Sequence, residues 1–233
     1  MPLHTKFRQS GAALMRHAMI LAVALVLAGQ GASAQGLPTR RDMVQVLPGL
    51  WVDAAADKTE RGAIRGHIAA ASQQVQRQLG AGQPVEWWIC TTAQCDASNG
   101  MAARGMTYGA SLITLNSKGA ADPGAYTHEL SHATLHGALP MGGLFSTALP
   151  LWFDEGVAVL VSGEPSAAAQ APCKAKRKGP LPQTAADFAR MAPNAQKALP
   201  VYRRSACAVR AWLAKGHALR DVVPLLRAGR KLP

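Results

Sequence analysis

The chain carries a His-Glu-x-x-His pattern at residues 128–132, and these residues are its clearest candidates for chemistry. Positions four apart in a helix lie one above the other, so His128 and His132 can present two imidazoles to one metal ion. Glu129 lies just off that stripe, where its carboxylate could polarise a metal-bound water without being a ligand. The pattern therefore predicts a metal site with a base beside it.

The residues around this pattern favour the helix that the spacing requires. Asp122 suits the N-cap position, and Pro123 suits the first helical position. Gly137 is suited to end the helix. The motif is thus predicted to lie on a helix with its own start and stop signals.

A catalytic zinc usually has three protein ligands and one position left for water, so a third ligand is needed. His136 continues the helical series, but eight residues of helix rise about 12 Å, which is too far for three imidazoles to reach one ion. We expect His136 to support a ligand, to line a cleft or to lie at the surface. Glu155 on a following helix is the better candidate, and Gly156 and Ala158 would let that helix approach the first closely.

The segment 149–158, with Trp152 shortly before the Glu155-Gly156 pair, resembles a known second motif. In gluzincin metallopeptidases, H-E-x-x-H is followed by a downstream E-G-x-A glutamate, and the tryptophan is similar to that of the bacterial peptidase MA-like family. The resemblance covers roughly residues 85 to 230 and is strongest at the two metal motifs. It implies a zincin-like fold and Zn²⁺ held by His128, His132 and Glu155.

The resemblance also implies roles for residues beyond the metal ligands. Tyr202 and Ser205 resemble a Y-x-x-S helix that follows the metal ligands in the family. By analogy Tyr202 would donate a hydrogen bond to the oxyanion of a tetrahedral intermediate, although a packed aromatic ring is the alternative. Asp154 stands where related enzymes often have a polar residue, and it either orients a ligand histidine or faces solvent.

The mature chain is predicted to place strands and a long helix first and helices afterwards, which indicates an α+β fold. Strand material is predicted within 44–52 and at 85–90 and 111–116, a loop or hairpin at 95–109, and helices at 57–79, 151–161, 200–215 and 221–228, with a short one opened by Thr184. The segments 138–150 and 164–183 are predicted to be irregular connections. We therefore expect one zincin-like domain at 35–233, in which a small mixed sheet with a covering helix precedes the metal helix and a helical C-terminal part.

The strand that precedes the metal helix has two interpretations. Leu112 to Leu115 could form the upper edge of the cleft, where an extended substrate pairs with its backbone. It could equally be an ordinary core strand.

Residues 1–34 are predicted to be a signal peptide. Three basic residues precede an apolar run at 18–28, and Ala32-Ser33-Ala34 has the small residues of a cleavage site. We expect cleavage after Ala34 and a periplasmic or secreted protein, with a retained N-terminal anchor as the alternative. No later segment is long and apolar enough to replace it as a membrane span.

The formal net charge is +12, and loss of the leader, with its three basic and no acidic residues, lowers it to +9. Outside the cytoplasm such a charge favours an anionic envelope surface as a partner over nucleic acid. No nucleic-acid motif is present, and the basic residues are dispersed apart from those at 174–178, which read as a solvated loop.

Four cysteines, an even number in an exported chain, favour disulfides. Cys90 and Cys95 are close enough to close a small loop, which leaves Cys173 to pair with Cys207, but all three connectivities stay open. A cysteine zinc site is the weaker alternative because the spacings are irregular.

Together these features predict an exported zinc-dependent hydrolase, foremost a peptidase acting on peptides or proteins with Glu129 as general base. Two alternatives stay open. One is a non-catalytic, zinc-stabilised binding module of the envelope, and the other is a hydrolase of cell-wall peptides or amides.

Overall fold

The computed structural model describes residues 37–140, 148–170, 172–173 and 179–233. Residues Pro38–Pro233 form one compact unit. The predicted signal peptide, most of the connection around Gly142-Gly143 and the basic run at 174–178 lie outside the described residues.

A five-stranded mixed sheet forms the N-terminal part, in agreement with the predicted α+β class. Its strands are β1 (Met43–Leu47), β2 (Leu50–Asp53), β3 (Glu86–Ile89), β4 (Gly105–Tyr108) and β5 (Leu112–Leu115). The spatial order is β1-β2-β3-β5-β4, with β2, β3 and β5 parallel and the two outer strands antiparallel to their neighbours. The strand Leu112–Leu115 is therefore an interior strand, and β4 forms the edge instead.

Helices cover this sheet and continue to the C-terminus. They are α1 (Lys58–Leu79), α2 (Ala93–Asn99), α3 (Ser117–Ala120), α4 (Pro123–Ala138), α5 (Leu151–Ser162), α6 (Ser166–Ala169), α7 (Ala185–Met191), α8 (Ala195–Leu213) and α9 (Leu219–Arg227). The predicted start of α1 is confirmed, since Asp57 caps it and exchanges hydrogen bonds with Glu60. Thr184 and Asp187 form the same arrangement at α7.

The main core lies between the sheet and two helices. Val52, Ile89 and Leu115 of the sheet are fully buried with Val75 of α1 and Leu135 of α4. Helix α4 packs against α1 on one side and α5 on another, and α5 in turn packs against α8. Helix α4 is therefore enclosed, and most of its polar side chains are buried with it.

Several predicted elements and boundaries differ from the structure. The segment 164–183, predicted to be an irregular connection, contains the short helix α6. The segment 95–109 contains helix α2, capped by Thr92, before β4 begins, because seven residues are too few to show a helical period. Helix α8 starts at Ala195 and not at Pro200, since Asn194 caps it and Pro200 is accommodated inside. Helix α4 ends at Ala138, one residue beyond Gly137.

Gly156 permits a close approach, but between different helices from those predicted. A Cβ at this position would lie 2.6 Å from the Ser205 carbonyl oxygen and 2.6 Å from a Val209 methyl, both on α8. Any larger residue would therefore push α5 away from α8. The expectation that Gly156 serves the contact with α4 is wrong.

Two disulfides join Cys90 to Cys95 and Cys173 to Cys207. They use all four cysteines, so no thiolate is left for a cysteine zinc site. Two disulfides are compatible with a protein located outside the cytoplasm. Separately, none of the helices in the described part of the chain has the length and apolar character of a membrane span.

Candidate metal centre

Helix α4 presents two imidazoles side by side. His128 and His132 lie one turn apart, with ring centroids separated by 4.9 Å, and both side chains are buried. Asp122 accepts a hydrogen bond from the Gly124 N–H at the start of the helix, as its sequence signal predicted. The local sequence thus builds the helix that sets this spacing.

The carboxylate of Glu155 on α5 reaches both imidazoles. Its Oε2 atom lies 3.4 Å from His128 Nε2 and 3.5 Å from His132 Nε2. A tetrahedral zinc with bonds of about 2.0–2.1 Å places two ligand atoms about 3.3 Å apart. The three residues therefore form a group that could hold a metal ion.

The same carboxylate oxygen provides an independent test of that fit. Glu155 Oε2 is buried and has no hydrogen-bond partner among the described residues. A buried charged oxygen that accepts no hydrogen bond is costly, and a bound cation would lower that cost. The donor set of two imidazoles and one carboxylate is also typical of zinc. The residues present therefore fit a metal ion at this point.

Hydrogen bonds orient both histidines so that their Nε2 atoms face Glu155. His128 Nδ1 lies 3.3 Å from the Glu164 carbonyl oxygen, which can only accept. His132 Nδ1 lies 2.8 Å from Asp154 Oδ1. Each Nδ1 therefore donates, so that in the neutral imidazole Nε2 carries the free electron pair that a metal needs. Of the two roles open to Asp154, the structure shows orientation of a histidine.

His136 supports this arrangement from one turn further along α4. Its Nε2 lies 2.8 Å from Asp154 Oδ2, and its Nδ1 lies 3.0 Å from the Gly109 carbonyl oxygen. Because the carbonyl accepts from Nδ1 and the carboxylate accepts from Nε2, His136 is held as an imidazolium. Asp154 thus bridges His132 and His136. Of the three places expected for His136, the structure shows the one that supports a potential ligand.

Charge coupling dominates the ionisation of this group. Burial lowers the pKa of His132, but Asp154 and Glu155 outweigh that effect and raise it well above its usual value. Burial raises the pKa of Glu155, yet His132 and His128 lower it to about 2. Without a metal, the site therefore holds a protonated His132 beside two carboxylates.

Metal binding should release a proton. At pH 7 the raised pKa keeps His132 protonated, whereas a ligand histidine must be neutral, so binding of Zn²⁺ should displace about one proton per chain. Calorimetric titration of the metal-free protein with zinc, in two buffers of different ionisation enthalpy, would measure this number. Stoichiometric binding at pH 7 without proton release would contradict the assignment of His132 as a ligand.

Glu129, the predicted base, lies against the edge strand. Thr107 Oγ1 lies 2.8 Å from Glu129 Oε2, and the backbone of Gly105 lies beside the other carboxylate oxygen. Neither contact was predicted, since both depend on β4 forming the edge of the sheet. Glu129 stays outside the group of potential metal ligands.

A cavity of about 540 Å³ opens beside these residues. His128, Glu129 and Tyr202 line it together with Arg104 and Glu164, and small residues form much of the remaining wall: Ala103, Gly105, Ala125, Ala167, Ala195 and Ala198. The small side chains leave room for a ligand next to the carboxylate of Glu129.

Tyr202 lies in the third turn of α8, lines the cavity and contacts His128. Its ring centroid is 6.1 Å from that of His128, in an edge-on arrangement, and 5.4 Å from that of Phe188. Burial, followed by the charges of Glu155 and Glu129, raises the pKa of the Tyr202 phenol strongly. The hydroxyl therefore keeps its proton and is available as a hydrogen-bond donor.

A second group of potential ligands shares one residue with the first. His132, His136 and Asp154 also place donor atoms close together. These atoms are already paired with each other at 2.8 Å, in contrast to the unpartnered oxygen of Glu155. The first group is therefore the better metal site.

Comparison with protein-family models, with curated proteins and with solved structures finds no match to this chain.

Proposed function

We propose that the protein is a zinc metallohydrolase of the zincin type and that it cleaves peptide bonds. The observation that carries this proposal is the buried, unpartnered oxygen of Glu155, 3.4 Å from His128 Nε2 and 3.5 Å from His132 Nε2, with Glu129 beside an open cavity. A structural zinc site would have four protein ligands and no need for such a cavity. Three potential ligands, one of which (His128) lines a cavity together with Glu129, favour catalysis.

Zinc is the metal that best suits the donor set, and His128, His132 and Glu155 would hold it. When bound, it supplies a Lewis acid that polarises a carbonyl and lowers the pKa of a coordinated water toward neutrality. Both histidines are already oriented for binding, because their Nδ1 atoms are paired with the Glu164 carbonyl and with Asp154, and loss of the Nε2 proton from His132 completes the site.

The residues around the cavity have separate roles in the proposed reaction. Glu129 takes a proton from the attacking water and later delivers it to the leaving amine. Tyr202 keeps its phenol proton and donates a hydrogen bond to the oxygen that becomes negative at the scissile carbonyl. Both side chains line the same cavity, so they can act on one bound substrate.

An extended peptide is the substrate that the cavity favours. Strand β4 is an edge strand, and its first residue, Gly105, lines the cavity. A substrate backbone could pair with such an edge while its side chains enter the space left by the alanines. The cleft edge, which was one of two interpretations of Leu112–Leu115, is assigned in this proposal to Gly105–Tyr108.

The proposed location and partners of the protein rest on its leader, its disulfides and its net charge. The predicted leader and the two disulfides favour a periplasmic or secreted enzyme. The positive net charge favours association with anionic envelope surfaces, which would place the enzyme near envelope proteins or cell-wall peptides.

Metal removal and restoration test the proposal. Dialysis against a chelator should abolish cleavage of denatured protein and of fluorogenic peptides, and one equivalent of zinc per chain should restore it. Purified cell-wall peptide assayed in parallel would show whether that class is preferred. If zinc binds stoichiometrically but neither substrate is cleaved at any time, the enzyme proposal is wrong, and a zinc-stabilised binding module becomes the better explanation.

A further inference from the structure

Strand β4 contacts the carboxylate of Glu129 through one hydroxyl. Thr107 Oγ1 lies 2.8 Å from Glu129 Oε2 and 3.0 Å from the Glu129 carbonyl oxygen. Because a hydroxyl has one proton and an ionised carboxylate is the stronger acceptor, the proton is directed to Oε2. One oxygen of the proposed base is thereby fixed to the edge of the sheet.

The same strand makes a second contact, two residues away on the same face. A Cβ at Gly105 would lie 2.4 Å from Glu129 Oε1, and no real side chain tolerates that distance. The carboxylate thus lies close to Gly105 at a point where any side chain would have to displace it. The alternation of a strand puts Gly105 and Thr107 on one face, so one element both hydrogen-bonds Oε2 and leaves space for Oε1.

We propose that Gly105 and Thr107 form a seat for the general base and that Thr107 is a positioning residue. This inference rests on the proposed function, since it assigns Glu129 the role of base. A free glutamate side chain has three rotatable bonds, and most of its rotamers point the carboxylate away from a water at the metal group. The seat selects one orientation before substrate binds, and a displacement of about 1 Å can cost about 10²-fold in rate.

The pair of substitutions Thr107→Val and Thr107→Ser separates the hydroxyl from the volume of the side chain. Valine keeps the shape and loses the hydrogen bond, so kcat should fall about 10- to 100-fold with KM nearly unchanged. Serine keeps the hydroxyl and should restore most of kcat. Thr114→Val is the matched control, because Thr114 lies on neighbouring β5 with its hydroxyl 3.5 Å from the Met106 carbonyl, away from Glu129.

A second substitution tests the other half of the seat. Gly105→Ala should displace the carboxylate and lower kcat at least as much as Thr107→Val. Gly66→Ala is its control, because a Cβ there meets nothing within 4 Å. Gly105→Ala also keeps the proposal testable if Thr107→Val fails to fold.

Crystal structures of the variants test the position of the Glu129 carboxylate independently of catalysis. In crystals of the metal-free variants, the Glu129 carboxylate should leave its place in Thr107→Val and keep it in Thr107→Ser, while the zinc content after reconstitution matches that of the native chain. The inference is overturned if the carboxylate stays in place in Thr107→Val, or if serine and valine lower kcat equally. If the native chain cleaves no peptide, the proposed function fails, but the crystals still decide whether Thr107 seats Glu129.

Discussion

Glu129→Gln is expected to lower kcat for peptide cleavage on the order of 10³-fold while the zinc content stays at one per chain. The amide has the shape of the carboxylate, and its oxygen can still accept the hydrogen bond of Thr107. What it loses is the ability to take a proton from water. Because Glu129 is not among the potential ligands, metal binding should be unaffected.

The measurement combines steady-state kinetics on a fluorogenic peptide with metal analysis of the same sample. Glu86→Gln is a suitable control, since Glu86 lies on the exposed side of β3, where it pairs with Arg40. Native turnover by Glu129→Gln with zinc retained would show that another group is the base. Loss of zinc would show instead that Glu129 is a ligand.

Local sequence patterns predicted the helix of the metal centre because its signals lie close together in the chain. The four-residue spacing of His128 and His132 and the cap at Asp122 depend only on helix geometry, and the structure contains both. The same geometry excluded His136 as a simultaneous ligand. It could not identify Asp154 as its partner, because that contact joins two helices.

Contacts that depend on the order of strands were not predictable in this way. Thr107 reaches Glu129 only because β4 folds back outside β5 and becomes the edge, whereas the sequence predicted a loop or hairpin at 95–109 and gave no strand order. Glu164 orients His128 through its backbone carbonyl, and such a contact cannot be inferred from the type of side chain. Similarly, the small size of Gly156 indicated a close approach but could not identify α8 as the partner.

The proposed metal ligands are tested by comparing Glu155→Gln with His136→Gln. The two groups of potential ligands share His132 and differ in these residues, so each substitution removes one group and leaves the other. In the proposed centre Glu155 binds the metal directly, whereas His136 acts only through Asp154. Loss of a residue that merely supports a ligand costs about 10- to 100-fold in metal affinity, and loss of a ligand should cost no less.

Glu155→Gln is therefore expected to weaken zinc binding at least about 100-fold, whereas His136→Gln should weaken it by at most that factor and retain zinc at micromolar metal. Competition with a coloured chelator would measure both affinities, and thermal unfolding would establish that each variant is folded. The two variants should also differ in heat stability, since added zinc should protect His136→Gln but not Glu155→Gln. The opposite order, with zinc lost from His136→Gln and kept by Glu155→Gln, would place the metal between His132, His136 and Asp154 and would remove the basis for an open catalytic site beside Glu129.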